Sequence, residues 1–246
     1  MTVTPPFLIH RPYRVVSRRE IAKDIIELHF APIGTPIPAP KAGQWVYLEI
    51  SNPDGKPWAR SAYSIANSAI EVMETGIVEL AIKRAGTFTE RVFTLQEGDA
   101  VNLQGPFGAF IFDQDAPRSI FLAGGIGITP LRSMIREALK CGYGGQLFLL
   151  YSCRAQEELA YVEELQALDQ QSDRFRFLPI CTREEEGSQW GGLRGHITND
   201  LLDQEIPSFE GAVCYLCGPL NFMEAMKKVL QEKGVPKGNI RMERFQ

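Results

Sequence analysis

The pattern of hydrophobic and polar residues changes near the middle of the chain. Up to about residue 113, short segments of alternating apolar and polar residues are separated by Pro, Gly, Asn and Asp. This alternation is typical of half-buried β-strands joined by turns. It therefore predicts a small antiparallel barrel or sandwich over residues 1–113. The clearest segments are "IIELHF" (Ile25–Phe30), "WVYLEI" (Trp45–Ile50), "VELAIK" (Val78–Lys83) and "AVNLQG" (Ala100–Gly105).

From Pro117 onward, continuous apolar segments alternate with helical patterns. That arrangement indicates a parallel sheet covered by helices, because strands buried on both faces are apolar along their whole length. The acidic segment "DQDAP" (Asp113–Pro117) marks the boundary, and the second domain is predicted over residues 117–246. Its five predicted strands are "SIFLA", "LFLLY", "FRFLPIC", "AVCYLC" and "IRMERF".

The stretch "FLAGGIGITPLRSMI" (Phe121–Ile135) joins a predicted strand to a predicted helix through three glycines. We expect Thr129 to cap this helix and Pro130 to occupy its first position. The first amide N–H groups of a helix lack partners within it, so a phosphate could bind there. The glycines could instead make room for another segment of the protein. Helical spacing then places apolar residues at Leu131, Met134, Ile135 and Ala138.

A later segment, "LCGPLNFMEAM", has a similar arrangement. A strand reaches Gly218, and Pro219 opens a helix. Ligands of open parallel sheets bind beyond the carboxyl ends of the strands. Two strand ends with a glycine followed by a proline therefore indicate a shared ligand.

Two segments of the first half also carry candidate chemistry. In "RSAYSIAN", Arg60 can bind a phosphate, Tyr63 can lie against a flat ring and Ser64 can hydrogen-bond to its edge, all three on one wall. The alternative is an ordinary barrel strand with a surface arginine. In "AIKRAGTFTERVF", a turn at Gly86 precedes a short helix that begins at Thr87 or Thr89 and ends at Phe93, a second candidate phosphate site or simply a capped connection.

Composition and charge narrow the class of protein. The chain has 246 residues, of which 44% are hydrophobic and 23% are charged, and its net charge is −4. No broad basic surface is indicated, so nucleic acid is not a predicted partner. No apolar run approaches the length of a membrane span and no signal peptide is recognisable, so a cytoplasmic protein is expected. Composition does not indicate an oligomeric state.

The cysteines and histidines do not predict a metal centre or a disulfide framework. The cysteines are odd in number, and they lack the spacing of a plant-type iron–sulfur cluster or of a zinc site. All except Cys217 are expected to be structural. The residues concerned are Cys141, Cys153, Cys181, Cys214, Cys217, His10, His29 and His196.

Five motifs occur in the order found in the ferredoxin–NADP reductase superfamily, a group of flavin- and pyridine nucleotide-dependent reductases, and the chain resembles that superfamily over nearly its whole length. The resemblance implies a flavin-binding antiparallel β-barrel domain (1–113) followed by a NAD(P)-binding α/β domain (117–246) with a five-stranded parallel sheet. The motifs are R-x-Y-[ST] (Arg60, Tyr63 and Ser64, with one residue more between Arg60 and Tyr63 than the pattern has), G-x-x-[ST] (Gly86–Thr89), G-P-x-G (Gly105–Gly108), G-G-x-G-x-[TS]-P (Gly124–Pro130) and C-G-P (Cys217–Pro219).

The resemblance also implies roles for these residues. Arg60 and the turn at Gly86 would hold the flavin phosphates, Tyr63 would pack on the isoalloxazine ring, and the three glycines after the first parallel strand would face the coenzyme pyrophosphate. The implied catalytic residues are Ser64, Cys217, Glu243 and Phe245, which would meet where the nicotinamide reaches flavin N5. The implied cofactor-binding residues are Arg60, Ser61, Tyr63, Ser64, Ile82, Lys83, Gly86, Thr87, Phe88, Thr89, Gly125, Gly127, Thr129, Pro130, Ser152, Arg154, Arg183, Cys217, Gly218, Pro219 and Phe245.

Phe245 is the candidate aromatic residue that would cover the flavin ring until the coenzyme binds. It departs from the usual family pattern, because Gln246 follows it and the aromatic residue is therefore not terminal.

The expected cofactor is FAD, with FMN as the lesser alternative, and the co-substrate is NADP(H) or NAD(H). In "YSCRAQEEL", Ser152 and Arg154 precede Glu157 and Glu158, and Arg183 follows the next strand. An arginine at such a strand end suits the 2′-phosphate of NADP, whereas an acidic residue suits the ribose hydroxyl of NAD. We therefore favour NADP(H); the alternative is that both arginines are solvated surface residues.

The expected electron acceptor is a separate ferredoxin or flavodoxin, because the chain lacks the cysteines of an iron–sulfur domain. Two alternatives stay open. One is a flavin reductase that releases reduced free flavin, and the other is a flavin-bearing electron-transfer subunit of a larger complex.

Overall fold

The computed structural model of the chain describes residues 5–52, 54–185 and 187–244, and these form two units. The first unit comprises the chain up to Phe112 together with Arg132–Cys141. The second comprises Asp113–Leu131 and the chain from Gly142 onward. The chain thus leaves the first unit within the predicted boundary region, but it contributes one later segment to that unit. No single division point in the sequence describes this arrangement.

The described residues of the first unit form a six-stranded antiparallel sheet, two short helices and, from Arg132 onward, most of a later helix. The elements are β1 (Arg11–Ala22), β2 (Ile25–Pro32), β3 (Trp45–Ser51), β4 (Pro57–Ser64), α1 (Ala69–Thr75), β5 (Val78–Lys83), α2 (Thr87–Val92) and β6 (Ala100–Phe107). The spatial order is β4-β3-β6-β1-β2-β5. The edge strands β4 and β5 lie close to one another, so the sheet curls into a barrel.

The barrel prediction is confirmed, and its core follows the predicted alternation. In β2 and β5, the residues Ile26, Leu28, Leu80 and Ile82 are all fully buried in one apolar cluster. The register pairs Leu28 with Leu80 and Ile26 with Ile82, so the buried residues of the two strands face the same side. Burial of these aliphatic side chains stabilises the unit by about 1.5–3 kcal/mol each.

Helix α1 follows β4 after a short irregular segment, and local signals account for both of its ends. Ser68 is the N-cap, and its side chain accepts a hydrogen bond from the backbone N–H of Glu71, whose carboxylate accepts one from Ser68 N. This reciprocal capping box satisfies two of the otherwise unpaired first-turn donors. Gly76, with φ of 71°, closes the helix in the left-handed conformation.

The second unit contains a six-stranded sheet in which every pair of neighbouring strands is parallel. The spatial order of its strands is β10-β9-β8-β7-β11-β12. The strands are β7 (Arg118–Gly124), β8 (Gln146–Cys153), β9 (Phe175–Cys181), β10 (Leu193–Arg194), β11 (Val213–Cys217) and β12 (Ile240–Glu243).

The parallel sheet confirms the predicted class, but the predicted count of five strands is one too low. The additional strand, Leu193–Arg194, has two residues and pairs only with Ile180 and Cys181 of β9. A strand of two residues shows no alternation or apolar run, so the sequence pattern gives no signal for it.

In the part of the chain that the structure describes, four α-helices follow β7. They are α3 (Ile128–Lys140), α4 (Val162–Gln171), α5 (Asn199–Glu205) and α6 (Leu220–Glu232). The apolar residues expected on α3 are all fully buried: Leu131, Met134, Ile135 and Ala138. None of the helices in the described part of the chain combines the length and apolar character needed to cross a lipid bilayer.

The start of α3 differs from the prediction. A short 3₁₀ turn, Gly125–Gly127, precedes the helix, which begins at Ile128. Thr129 does not act as the N-cap, because its hydroxyl donates a hydrogen bond to the Ile126 carbonyl at 2.8 Å. Pro130 consequently lies in the first turn and not at the first position. An N-cap side chain accepts from the unpaired N–H groups of the first turn, whereas the Thr129 hydroxyl is a donor here.

We predict that α1 makes the stability of the protein sensitive to acid through Glu71. Burial raises the pKa of Glu71, but the bonds from Arg136 and the Ser68 backbone outweigh it and lower the pKa from 4.5 to about 2. The ionised carboxylate therefore stabilises the folded state above about pH 4.5, and this contribution is lost as the pH falls toward 2. Glu71→Gln should lower the free energy of unfolding at pH 7 by roughly 2–3 kcal/mol.

Denaturant unfolding of the wild type and of Glu71→Gln, measured between pH 2 and 7, checks this prediction. The difference in the free energy of unfolding between the two proteins should shrink below pH 4.5. The matched control is Glu74→Gln, which removes an exposed carboxylate from the same helix and should change little. A pH-independent difference for Glu71→Gln would contradict the assignment.

Candidate functional site

The edge strand β4 presents Arg60 and Ser64 on one of its faces. The Arg60 guanidinium lies 4.4 Å from the centre of the Tyr47 ring and donates a hydrogen bond to Gln104 Oε1 at 2.8 Å. Arg60 is largely exposed, whereas Ser64 at the end of the strand is 4% exposed. A cation held in this way by stacking and one hydrogen bond keeps further donors for a phosphate.

Tyr63 lies on the opposite face of β4. It packs against the barrel core, and its ring lies 6.3 Å from that of Phe88 in a nearly parallel orientation. The Phe88 ring in turn lies parallel to that of Trp58, with centres 5.9 Å apart. Burial raises the pKa of the Tyr63 hydroxyl, despite a hydrogen bond from Ser61 that lowers it. Tyr63, Phe88 and Trp58 therefore form a row of flat rings.

The expectation that Arg60, Tyr63 and Ser64 share one wall is thus wrong. β4 pairs with β3 without interruption from Ala59 to Ser64. Residues three apart on a regular strand point to opposite faces. A ligand that lies along the edge of the sheet can still contact both faces, so the two side chains remain compatible with one binding site.

The turn after β5 forms an open helix start. β5 ends with Ile82 and Lys83, and α2 begins at Thr87 after Gly86, whose φ is 106°. The Thr89 hydroxyl accepts a hydrogen bond from Ala85 N and donates one to Gly86 O. No heavy atom of the described residues lies within 4 Å of the position of a Cβ at Gly86. The backbone of this turn is therefore accessible to a ligand.

The glycines after β7 serve two different purposes. A Cβ on Gly127 would lie 2.2 Å from the Cys217 carbonyl oxygen, and one on Gly124 would lie 2.9 Å from the Pro219 ring. Gly218 in turn approaches Gly124, with its Cβ position 2.9 Å from the Gly124 Cα. The alternative left open by the sequence is therefore correct for most of this turn, because the two glycine-containing corners make room for each other.

Gly125 differs from its neighbours. It has a φ of 55°, and no heavy atom of the described chain lies within 4 Å of its Cβ position. It is thus the glycine of this turn whose backbone a ligand can approach. The space beside Gly127 is filled by the Cys217 backbone, so its missing side chain makes room for protein. Binding of the coenzyme by Gly127 stays a prediction.

Cys217 and Glu243 lie side by side at the carboxyl ends of the parallel strands β11 and β12. Burial raises the pKa of the Cys217 thiol well above its ordinary value, and the neighbouring Glu243 raises it further. Burial also raises the pKa of Glu243. The approach of Ser64 to this pair stays a prediction. Phe245 lies outside the described residues, and its proposed role also stays a prediction.

The carboxyl ends of β8 and β9 bring together the residues expected to select the coenzyme. Ser152 is in β8 beside Gly124 of β7. Arg154 follows β8 directly and Arg183 lies two residues beyond β9, and the Arg183 backbone N–H donates to the Arg154 carbonyl at 2.8 Å. Both arginines are exposed, and neither makes a side-chain ion pair within the described ranges. Glu184, which accepts from the backbone of Gln156, adds a carboxylate to the same edge.

The cysteines do not form a cluster. All are free thiols, and the four that lie in strands are buried. Cys141 was also expected to be structural, but it is exposed just beyond α3. Cys153 and Cys181 are register neighbours in β8 and β9. Burial raises the pKa of Cys181 and of Cys214 to about 12, which keeps both thiols protonated at neutral pH.

A buried charge cluster in the first unit is not signalled by any motif. Glu27, His29 and Glu79 place possible metal-ligand atoms within 4.8 Å of one another. However, the Arg132 guanidinium contacts Glu79 at 2.8 Å and Glu27 at 3.7 Å. A second guanidinium, that of Arg19, contacts Glu27 at 2.6 Å. These cations already neutralise the carboxylates and would repel a metal ion, so the cluster is a buried ion-pair network.

Comparison with known proteins identifies the class to which the chain belongs. A family model described as an oxidoreductase FAD-binding domain matches residues 12–112, and one described as an oxidoreductase NAD-binding domain matches residues 121–228. Ferredoxin–NADP reductase B of Sorangium cellulosum is 32% identical over 241 residues, which cover 94% of this chain and 96% of that protein. The chain therefore belongs to the ferredoxin–NADP reductase superfamily and is an FAD- and pyridine nucleotide-dependent oxidoreductase.

Other relatives differ in how much of their length the chain covers. The glycine betaine monooxygenase reductase subunit of Pseudomonas aeruginosa is 31% identical over 206 residues, which cover 83% of this chain and 56% of that subunit. The flavohem-like FAD/NAD-binding domain of nitric oxide dioxygenase from Vibrio cholerae superposes with a TM-score of 0.83. The superposition covers 96% of this chain and 98% of that domain. At 22% identity, it supports the fold alone.

We predict that Gly127→Ala destabilises the second unit. Its Cβ would lie 2.2 Å from the Cys217 carbonyl oxygen, which belongs to a strand end and cannot move freely. The cost should be roughly 1–3 kcal/mol, as for other overpacked sites. The matched control is Gly144→Ala, where no heavy atom of the described chain lies within 4 Å of the new Cβ. Thermal unfolding of both variants checks this prediction, and equal melting temperatures would show that the two corners can separate at little cost.

Proposed function

We propose that the chain transfers electrons from NADPH through bound FAD to a separate one-electron carrier, a ferredoxin or a flavodoxin. The observation that carries this proposal is the 32% identity to a ferredoxin–NADP reductase across 96% of that protein's length. Reductase subunits of oxygenases also match, but the match covers 56% of the subunit from Pseudomonas aeruginosa. The end-to-end match favours the carrier reductase over the oxygenase subunit.

The residues of the barrel suit FAD. The Arg60 guanidinium and the accessible turn at Gly86 would hold its phosphates, with Thr87 at the helix start. Tyr63 and Phe88 supply flat apolar surfaces for its ring system on the other face of β4. Bound FAD accepts two electrons as a hydride from the nicotinamide and passes them on one at a time.

The residues at the ends of β11 and β12 suit the transfer step. The raised pKa of Cys217 keeps its sulfur neutral, and Glu243 holds its proton more strongly than an exposed glutamate. In this proposal the neutral thiol places no negative charge beside the flavin ring, which gains negative charge when it accepts the hydride. In this proposal Ser64 contributes a hydroxyl to the flavin edge, and Phe245 covers the ring before the coenzyme binds.

The exposed arginines at the carboxyl edge of the parallel sheet support NADPH as the coenzyme. Arg154 and Arg183 are held next to one another by a backbone hydrogen bond and have no carboxylate partner within the described ranges. Two free guanidinium groups can bind a 2′-phosphate through paired hydrogen bonds. A cytoplasmic location agrees with this proposal and stays a prediction.

Purified protein should be yellow, with about one tightly bound FAD, and should oxidise NADPH when a ferredoxin is added. The test is steady-state NADPH oxidation with ferredoxin, flavodoxin, ferricyanide or free flavin as acceptor. Turnover with ferricyanide but with neither carrier would favour a subunit of a larger complex. Turnover only with free flavin, accompanied by loss of bound flavin, would favour a flavin reductase. Protein that takes up no flavin on titration would contradict the proposal.

Replacing Arg154 should change the coenzyme preference. Arg154→Ala should raise the KM for NADPH about ten- to a hundredfold and leave that for NADH little changed, because a lost charge-assisted phosphate contact costs about 1.5–3 kcal/mol. The matched control is Arg176→Ala, which removes an exposed arginine near the opposite end of β9. Equal changes for both coenzymes would assign Arg154 to the surface and favour NADH.

A further inference from the structure

The segment Ile65–Ser68, which follows Ser64 directly, is not part of a helix or a strand. Its position therefore depends on other hydrogen bonds. The Arg132 side chain, 2% exposed, donates a hydrogen bond to the Ala66 carbonyl at 3.0 Å. The same nitrogen contacts Glu79 Oε2 at 2.8 Å. A buried guanidinium of α3 thus ties the segment to β5.

Ser133, the next residue of α3, makes the second connection. Its hydroxyl donates to the Asn67 carbonyl at 2.7 Å. The Asn67 side chain donates to the Ile77 carbonyl at 2.9 Å and accepts from the Glu79 backbone N–H at 3.1 Å. Ser133 and Asn67 are both about 2% exposed or less, so water does not compete for these bonds.

Two backbone N–H groups of the same segment also have partners. Ile65 N donates to the Gln44 carbonyl at 2.9 Å, and Ala66 N donates to the Glu79 carbonyl at 2.8 Å. The carbonyls of Ala66 and Asn67 receive their bonds from the side chains of α3 instead of from a strand. The segment is therefore held on both sides, and α3 supplies the bonds on one of them.

We infer that Arg132 and Ser133 are positioning residues for the Ser64 hydroxyl. The inference rests on the proposed function, in which Ser64 lies beside the reactive edge of the flavin. Arg132 and Ser133 act through the backbone two and three residues beyond Ser64. A displacement of about 1 Å at a reacting centre can reduce a rate by about a hundredfold. Two buried bonds from a packed helix are suited to prevent such a displacement.

The test compares Ser133→Ala and Arg132→Lys with the wild type in the FAD-loaded protein. Bound FAD is reduced with saturating NADPH in a stopped-flow instrument. Each variant should reduce it about ten- to a hundredfold more slowly, with the coenzyme KM and the FAD content unchanged. Lys would keep the positive charge but lose the planar group that reaches Ala66 and Glu79 together. The matched control is Lys140→Gln, which removes an exposed α3 cation that pairs with α1 and should leave the rate unchanged.

Amide hydrogen exchange in the flavin-free protein gives a second readout that does not depend on activity. Exchange should become faster at Ile65 and Ala66 in Ser133→Ala, while the barrel strands keep their protection. Unchanged exchange in the segment would overturn the inference. Ser133→Ala removes only one hydroxyl from the core and should therefore fold. It tests the inference even if Arg132→Lys does not fold.

A double-mutant cycle separates positioning from general stability. In a Ser64→Ala background, Ser133→Ala should slow FAD reduction no further, because the group that it positions is absent. Additive losses, or a normal rate in Ser64→Ala alone, would overturn the inference. A wild-type protein that binds no FAD, or whose FAD is not reduced by NADPH, would instead contradict the proposed function, and the positioning role would fall with it.

Discussion

The buried guanidinium of Arg132 is the interaction on which the arrangement of the first unit depends. It lies between Glu79 and Glu27, which is completely buried, and it also binds the Ala66 carbonyl. Removing one member of such a buried pair costs about 3–5 kcal/mol, because the other charge is left without compensation. Arg132 therefore cannot leave its position without a large loss of stability. Its bond to the Ala66 carbonyl in turn fixes the irregular segment after β4.

A second constraint acts at the carboxyl edge of the parallel sheet. There the segments are constrained by close contact between backbones, and not by buried charges as around Arg132. Gly124, Gly127 and Gly218 pack so closely that a methyl group at any of them would lie within 3 Å of another residue. Gly125 alone in this turn combines a positive φ with open surroundings. The glycine-rich turn thus serves packing at most of its positions, and one position leaves backbone accessible to a coenzyme. The same edge carries Arg154, Arg183, Cys217 and Glu243 at the ends of four strands.

The sequence predicted most of the strands because burial on one face or on both leaves a direct trace in the spacing of apolar residues. Val78–Lys83 and Phe175–Cys181 were predicted with the same bounds that the structure shows. The strand Leu193–Arg194 left no such trace because it is only two residues long. Strand alternation could also have shown that Arg60 and Tyr63 point to opposite faces, since an odd spacing always does so on a regular strand. The motif concealed this because its pattern places the arginine and the tyrosine two positions apart, whereas Arg60 and Tyr63 are three positions apart.

The sequence by itself determined the two classes of sheet, the order of the motifs and the chemical character of the cofactor site, because each of these depends on residues that are near one another in the chain. The tertiary structure decided which glycines of the turn make room for protein and which is open, since that depends on the end of β11, more than 80 residues later in the chain. It also decided the role of Arg132, which has the sequence character of a surface residue on a helix. Its partners Ala66 and Glu79 lie 66 and 53 positions earlier, and only folding brings a charge and its neutralising groups together.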